Sequence, residues 1–545
     1  MEHVPFDVVV LGSGAAGLRA ALSAREAGLS VCVVSKGNPG KSTCTGFSAG
    51  VMAGSASEDQ RDAHFQRTLT AGRGLNEREL VEILVAEAPL RLNELLRWGI
   101  HADDLDGYLY AKGHPPALGM EIVRCLLKRN EALGTRFLGN LLVTDVRVRN
   151  GTAGVSAVQK SSGDWLVLTA KAVVIATGGA SALFLRSDNP RGMLGDGYRL
   201  ALEAGAVLED MEFVQFYPLC LAEPGLTPLV IPPKLADLGR LFNDDGENIL
   251  GKYEIGERPA GERARDRLSQ ALFKEIYQNR QNVWLDLRHL SEKEWRVDPF
   301  SAAVQGLLSE RYGAGNRPVR VAPAAHHSMG GAWVDARGAT AVPGLFVAGE
   351  AAGGLHGANR MGGNALSETL VFGARAGSAA SDWANRFGGA DRQALVMVLA
   401  ESSREWSSGT NSGAALKDRL RKTMWEEGGI IREEQGLLRA LGAVKDIQKE
   451  ASRPSARLNR KDLVDLIELR SAAKVAAIIL EAALLRRESR GAHFREDFPD
   501  QNDAEWQGHL RVRLSPSGEK AWQFEPSVHG LPAYASDEQR VTSNE

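Results

Sequence analysis

The sequence predicts an α/β fold built on a Rossmann-like parallel sheet. Three observations carry this expectation. An apolar run, Val8 to Leu11, leads straight into Gly12-Ser13-Gly14-Ala15-Ala16-Gly17. Good helix formers then run to Ala27, closed by Gly28, and a second apolar run spans Val31 to Val34. Far along the chain, two more buried-strand patterns end in glycine: Ala172 to Ala176 before Thr177-Gly178-Gly179, and Leu345 to Ala348 before Gly349-Glu350. Open α/β sheets bind ligands at such strand ends.

The first segment is G-x-G-x-x-G in its required strand–turn–helix–strand setting. Gly12 permits the tight turn, Gly14 lets a pyrophosphate approach the backbone, and Gly17 lets helix and strand pack closely. The helix N-terminus then stabilises phosphate charge. The acidic ribose-binding residue of a plain NAD site is replaced by Ser35-Lys36. A flavin domain assembled from discontinuous pieces explains why the later glycine-ended strands lie so far away.

Bulk properties bound the function. The chain has 545 residues, enough for roughly two to four domains. A net charge of −3 gives no basic surface for nucleic acid. Cys32, Cys44, Cys125 and Cys220 form no C-x-x-C pair. That argues against a disulfide framework and against an iron–sulfur cluster held by this chain alone. The N-terminus shows no leader pattern. The longest apolar run, Ala472 to Leu485, is interrupted by Lys474 and Glu481 and is shorter than the ~20 residues of a membrane span. A soluble, cytoplasmic protein is expected.

"AAHHSMGG", Ala324 to Gly331, places two histidines side by side. His326 and His327 could bind metal, move a proton, hold substrate or pack. Metal is the weak reading: adjacent residues rarely reach one ion, and no second cluster has ligand spacing. No metal site is expected.

Four segments together resemble the flavoprotein subunits of succinate dehydrogenase and fumarate reductase, with L-aspartate oxidase as a relative. They are the N-terminal fingerprint with its Ser35-Lys36 ending, "AAHHSMGG", "GEAAGGLHGANRMGGNALSETLVFG" from Gly349, and "RRESRGAHFREDFP" from Arg486. The resemblance implies FAD, an α+β capping domain inserted into the Rossmann-like FAD domain, and a C-terminal helical domain. It implies that His326 helps hold a carboxylate substrate near the flavin, with His327 in the place of the family's tyrosine. Arg360 would clamp a substrate carboxylate, as a planar, always-charged guanidinium suits. Arg265, in Arg265-Asp266-x-x-Ser269-x-Ala271, would donate the proton while flavin N5 delivers hydride. Arginine is a weak acid, so this requires a closed, dry site and a strongly basic carbon. FAD contacts carry over to Gly12, Gly14, Gly17, Ser35, Lys36, Thr177, Gly178, Asp196, Glu350 and Leu366, with the glutamate on ribityl or ribose hydroxyls.

Three departures stand out. The family's flavin-linking histidine is absent near Thr43 and Cys44, so non-covalent FAD is expected. The family's His-Pro-Thr-Gly reads Tyr217-Pro218-Leu219-Cys220. Its Thr-Glu-Gly-x-Arg-Gly-Glu-Gly-Gly reads Ile231 to Gly239, putting Ile231 and Pro232 where the second substrate carboxylate is bound, and Leu235 and Asp237 at the relay arginine and its glutamate. The changes gather at one end of the pocket. Either the substrate's far end differs from succinate, or a local rearrangement rebuilds the same site.

The expected organisation is an FAD domain at 1–220 and 325–385, a capping domain at 221–324 that closes over the site, a charged break from Arg386 to Arg392, a helical domain at 393–490 and a surface-wrapping tail at 491–545. By the resemblance, an iron–sulfur subunit takes the electrons, with a membrane quinone module behind it placing the chain peripherally on the inner face of the membrane. The alternatives are L-aspartate oxidase, a reductase or dehydrogenase of another unsaturated acid, and a non-catalytic electron-transfer subunit; the joint presence of Arg265, His326 and Arg360 argues against the last.

Overall fold

The computed structural model describes residues 2–54, 57–149, 151–387, 392–406, 412–453 and 458–527. The two N-terminal apolar runs become the strands Val8–Leu11 and Val31–Val34, with the helix Ala15–Glu26 between them. They sit inside a five-stranded parallel sheet in the order Leu345–Val347, Ala172–Ile175, Val8–Leu11, Val31–Val34, Arg136–Leu138. The two distant strands therefore join the first as direct neighbours. Every residue of Val8–Leu11 is at most 1% exposed, as expected of a strand covered on both faces. The long helix Asn364–Arg386 packs along Ala15–Glu26, and two glycines allow the approach: a Cβ on Gly377 would lie 2.2 Å from the Ala20 carbonyl, and one on Gly373 2.7 Å from that of Ala16.

A second sheet builds the capping region. Its order is Val214–Leu221, Val319–Ser328, Val283–Asp286, Arg240–Asn243, all antiparallel. Leu219, Leu221, Leu241, Leu285, Val319 and Val321 fill its core. The strand Val319–Ser328 starts in this sheet and ends in the flavin domain, so the "AAHH" segment lies at the junction. Four longer helices follow, Arg392–Trp406, Gly413–Glu426, Glu434–Ala451 and Arg460–Leu485. They match the helical domain expected from the periodicity. Of the charged break before them, residues 388–391 lie outside the described residues.

The segment after residue 490 differs from a wrapping tail. Up to residue 527 it ends in a hairpin, Gly508–Leu514 and Lys520–Pro526, whose first strand extends a small sheet through Leu208–Glu209. The physical reason is a buried ion network. Arg486 donates to Glu212 (2.5 Å), Glu488 (3.0 Å) and the carbonyls of Trp506 and Gly508. Arg490 pairs with Glu488 and Asp503, and His509 with Asp210. Buried charges are tolerated only when paired in this way. The basic "RRESR" stretch is thus a clamp between the C-terminal segment and the flavin domain. Residues 528–545 lie outside the described residues.

Candidate active site

The flavin-side glycines stand where their chemistry demands. Gly12 has φ +116°, and a Cβ there would meet the Ala176 carbonyl oxygen at 2.1 Å. A Cβ on Gly17 would meet the Gly12 carbonyl oxygen at 2.1 Å. On Gly14, by contrast, the nearest atom would be Thr45 Oγ1 at 3.5 Å, which leaves room at the helix start. The Thr177 hydroxyl oxygen is buried with no hydrogen-bond partner in the protein. A buried orphan of this kind, beside an open glycine turn, fits a cofactor that supplies the missing partner.

Glu350 follows the strand Leu345–Val347 and lies against Gly179, whose added Cβ would be 2.1 Å from its Oε1. That oxygen accepts from the Ser328 amide at 3.0 Å. Burial raises its carboxyl to about 7. Leu366 is in the first turn of Asn364–Arg386, where helix amides are free to meet an electron-rich group. Ser35 bonds Ser13 across the turn at 2.9 Å. Lys36 and Asp196 are bonded to each other at 2.9 Å. The ammonium also reaches the Gly192 carbonyl (3.0 Å) and Glu468 (3.2 Å), which occupies all three of its donors. In this arrangement Lys36 ties the flavin domain to the helix Arg460–Leu485.

The double histidine resolves through a β-bulge. Gln215 pairs with His327 and Phe216 with Ala325, so His326 is the extra, unpaired residue. A bulge re-aims a side chain. His326 keeps a quarter of its side chain exposed, and its Nδ1 lies 2.6 Å from Asp188 Oδ2. The carboxylate accepts, so Nδ1 carries the proton and Nε2 is left as an acceptor. Burial, followed by the nearby Arg360 and Arg265 charges, outweighs Asp188 and holds the imidazole below its ordinary pKa. His327 is buried on the other side, with Nδ1 3.7 Å from Glu350 and its ring 5.2 Å from that of His356. His356 bonds Glu368 at 2.9 Å. His327, His356 and Glu368 bring three ligand-type atoms within 4.8 Å of one another. Spacing along the chain does not reveal this trio, because His327 comes from a strand far from the segment that holds His356 and Glu368.

Arg360 and Arg265 converge. Arg360 Nη2 donates to Gln215 Oε1 at 2.9 Å, and Arg265 Nη1 reaches the same oxygen at 3.5 Å. Arg265 begins the helix Arg265–Phe273 and lies 5.1 Å over the Tyr217 ring. Tyr217 in turn packs 5.3 Å from the His326 ring. Burial, then repulsion from Arg265, lowers Arg360 to about 10, so it remains charged at neutral pH. Arg360 Nε has no protein partner although buried. Two converging cations, one with an orphan donor, have the chemistry to hold an anion.

The structure thus gathers Arg265, Arg360 and His326 around Gln215 and Tyr217. Gln215 and Asp188 were missed. Gln215 was legible in principle: it stands two residues before Tyr217 on one strand, hence on the same face.

A family model described as "FAD binding domain" matches residues 7–366, and one described as "Fumarate reductase flavoprotein C-term" matches 417–530. The chain belongs to the succinate dehydrogenase/fumarate reductase flavoprotein family. It is therefore an FAD-dependent oxidoreductase. Among curated members, a subunit of the fumarate reductase (CoM/CoB) of Methanothermobacter marburgensis is 33% identical, covering 91% of this chain and 94% of its own. L-Aspartate oxidase of Streptomyces coelicolor is 34% identical, covering 98% and 97%. Among solved members, a variant of the E. coli quinol fumarate reductase FrdA superposes with a TM-score of 0.87 at 28% identity over 98% of both chains. Mycobacterium smegmatis Sdh1 gives 0.83 at 29%, over 97% and 95%. No helix among the described residues is long and apolar enough to cross a membrane.

Proposed function

We propose that this flavoprotein moves a hydride between FAD and a C–C bond activated by a carboxylate, with Arg265 as proton donor and acceptor. The observation that carries this reading is the meeting of Arg265 and Arg360 at Gln215 Oε1. Bound FAD, held without a covalent link by the Gly12–Gly17 turn, Thr177, Gly178 and Glu350, supplies or accepts the hydride. Arg360 holds the activating carboxylate in a water-poor setting, where a charge-assisted pair is strong. Arg265 lies beside it and gives its proton to the adjacent carbon as that carbon gains negative charge. Its guanidinium is buried and lies beside that of Arg360, next to any carboxylate held there. His326, oriented by Asp188, forms the opposite wall.

The four cysteines lie in four separate elements, the strands Val31–Val34 and Val214–Leu221 and the helices Cys44–Phe47 and Met120–Ala132. This supports an external electron carrier, and we assign that role to an iron–sulfur subunit, with a membrane quinone module beyond it. The test is anaerobic. Flavin reduced by dithionite is mixed with a panel of unsaturated carboxylic acids. At least one should reoxidise it with stoichiometric formation of the saturated acid. Arg265→Ala should abolish that reaction while leaving reoxidation by ferricyanide intact. Unchanged turnover in the variant would remove Arg265 from the mechanism.

A further inference from the structure

The surroundings of Tyr217, on the other face of Arg265, differ from those of Arg360. Tyr217 is 4% exposed, and its hydroxyl donates to the Ile231 carbonyl at 2.7 Å. That hydroxyl is therefore engaged with the backbone. The ring lies between the Arg265 guanidinium (5.1 Å) and the His326 ring (5.3 Å). Behind it Ile231, Leu235 and Ala236 are fully buried and belong to the same apolar cluster as Tyr217.

The polar side chains of this segment are engaged elsewhere. Asp237 accepts from the Ala260 amide at 2.8 Å and lies 3.0 Å from Arg258. Lys234 is 3.9 Å from Asp298. His326, whose ring packs against Tyr217, donates from Nδ1 to Asp188. Its Nε2 is an acceptor, and the Asp188 charge stands behind it. Apart from Arg265, whose proton the reaction uses, a carboxylate placed against Tyr217 would lose its hydration among apolar side chains.

We propose that the substrate is a monocarboxylic 2-enoate, or its saturated counterpart, whose end beyond the double bond is apolar and lies against Tyr217. This rests on the hydride-transfer reading above. In the reducing direction, hydride from reduced FAD forms the bond to the β-carbon, and the C=C π pair moves to the α-carbon. The α-carbon takes the proton of Arg265. The products are the saturated acid and oxidised FAD, and Arg265 regains its proton from water. Arg360 holds the single carboxylate; the alkyl or aryl tail replaces the second one.

The experiment compares three acids on the dithionite-reduced, FAD-loaded protein under anaerobic conditions: fumarate, crotonate and trans-cinnamate. Crotonate or cinnamate should reoxidise the flavin at least about tenfold faster than fumarate, since an apolar wall favours the tail and penalises the second charge. If fumarate is fastest, the apolar-tail proposal is overturned while hydride transfer stands. If none of the three acts although ferricyanide reoxidises the flavin, both the proposal and the hydride-transfer reading fall for this acid class.

Discussion

Arg265 and Arg360 share one acceptor, the Oε1 of Gln215, at 3.5 and 2.9 Å. A neutral amide keeps the two cations close without satisfying their charge, and in the function proposed above a substrate carboxylate completes the set. Gln215 is itself fixed, because its amide nitrogen donates to Asn359 Oδ1 at 2.7 Å and to the Arg360 carbonyl at 3.0 Å.

Gln215→Glu should therefore act as a built-in competitor. The new carboxylate would pair with both guanidinia and raise KM for the acid substrate by about tenfold or more, given the strength of charge-assisted bonds. FAD content should not change. Steady-state kinetics at fixed flavin occupancy checks this, and an unaltered KM would show that the arginine pair does not hold the carboxylate.

Asp188→Asn should disturb the proton on His326. An amide can donate to Nδ1 as well as accept from it, which allows the wrong tautomer to persist. We expect kcat/KM to drop by about 10- to 100-fold, with flavin binding and the melting temperature little changed. Nitrogen-15 NMR of the imidazole should report the tautomer shift directly. Wild-type chemical shifts in the variant would remove the link between Asp188 and His326.

The orphan hydroxyl of Thr177 and the turn at Gly12 give two tests of cofactor binding. Thr177→Val removes one hydrogen bond, worth about 1 kcal/mol, and should weaken FAD binding roughly fivefold. Gly12→Ala places a methyl 2.1 Å from the Ala176 carbonyl oxygen in a positive-φ conformation, and should yield protein nearly free of flavin. The ratio of flavin to protein absorbance after purification reads both.

His509 makes stability depend on pH. Burial opposes its charge, but Asp210 at 2.6 Å and the neighbouring Glu209 and Glu77 overcome this and raise its pKa from 6.5 to about 9. The folded state therefore binds the proton more tightly than the unfolded chain. The stabilisation is fully present below pH ~6.5 and is lost as pH rises through about 9, at roughly 1.4 kcal/mol for each pH step between those two values. Urea unfolding of the wild type and of His509→Asn should show a stability difference that shrinks from pH 6 to pH 10. A difference that stays constant would mean the ion pair does not stabilise the clamp.

The sequence by itself determined the flavin core. A glycine turn between apolar strands has few structural solutions, because buried strands need continuous apolar residues and a close pyrophosphate needs missing side chains. Arg360 was legible inside a long matching segment, His326 inside the short "AAHHSMGG", and Arg265 through the pattern Arg265-Asp266-x-x-Ser269-x-Ala271. The helical domain followed from its periodicity. Tertiary structure alone decided the rest. Whether Lys36 meets a cofactor or Asp196 depends on a helix more than 400 residues away in sequence. Which of two adjacent histidines enters the pocket depends on a bulge set by pairing with another strand. The contact between Tyr217 and Ile231 is a hydrogen bond to a backbone carbonyl. Such contacts are set by where distant elements pack, and no local pattern of residues encodes that distance.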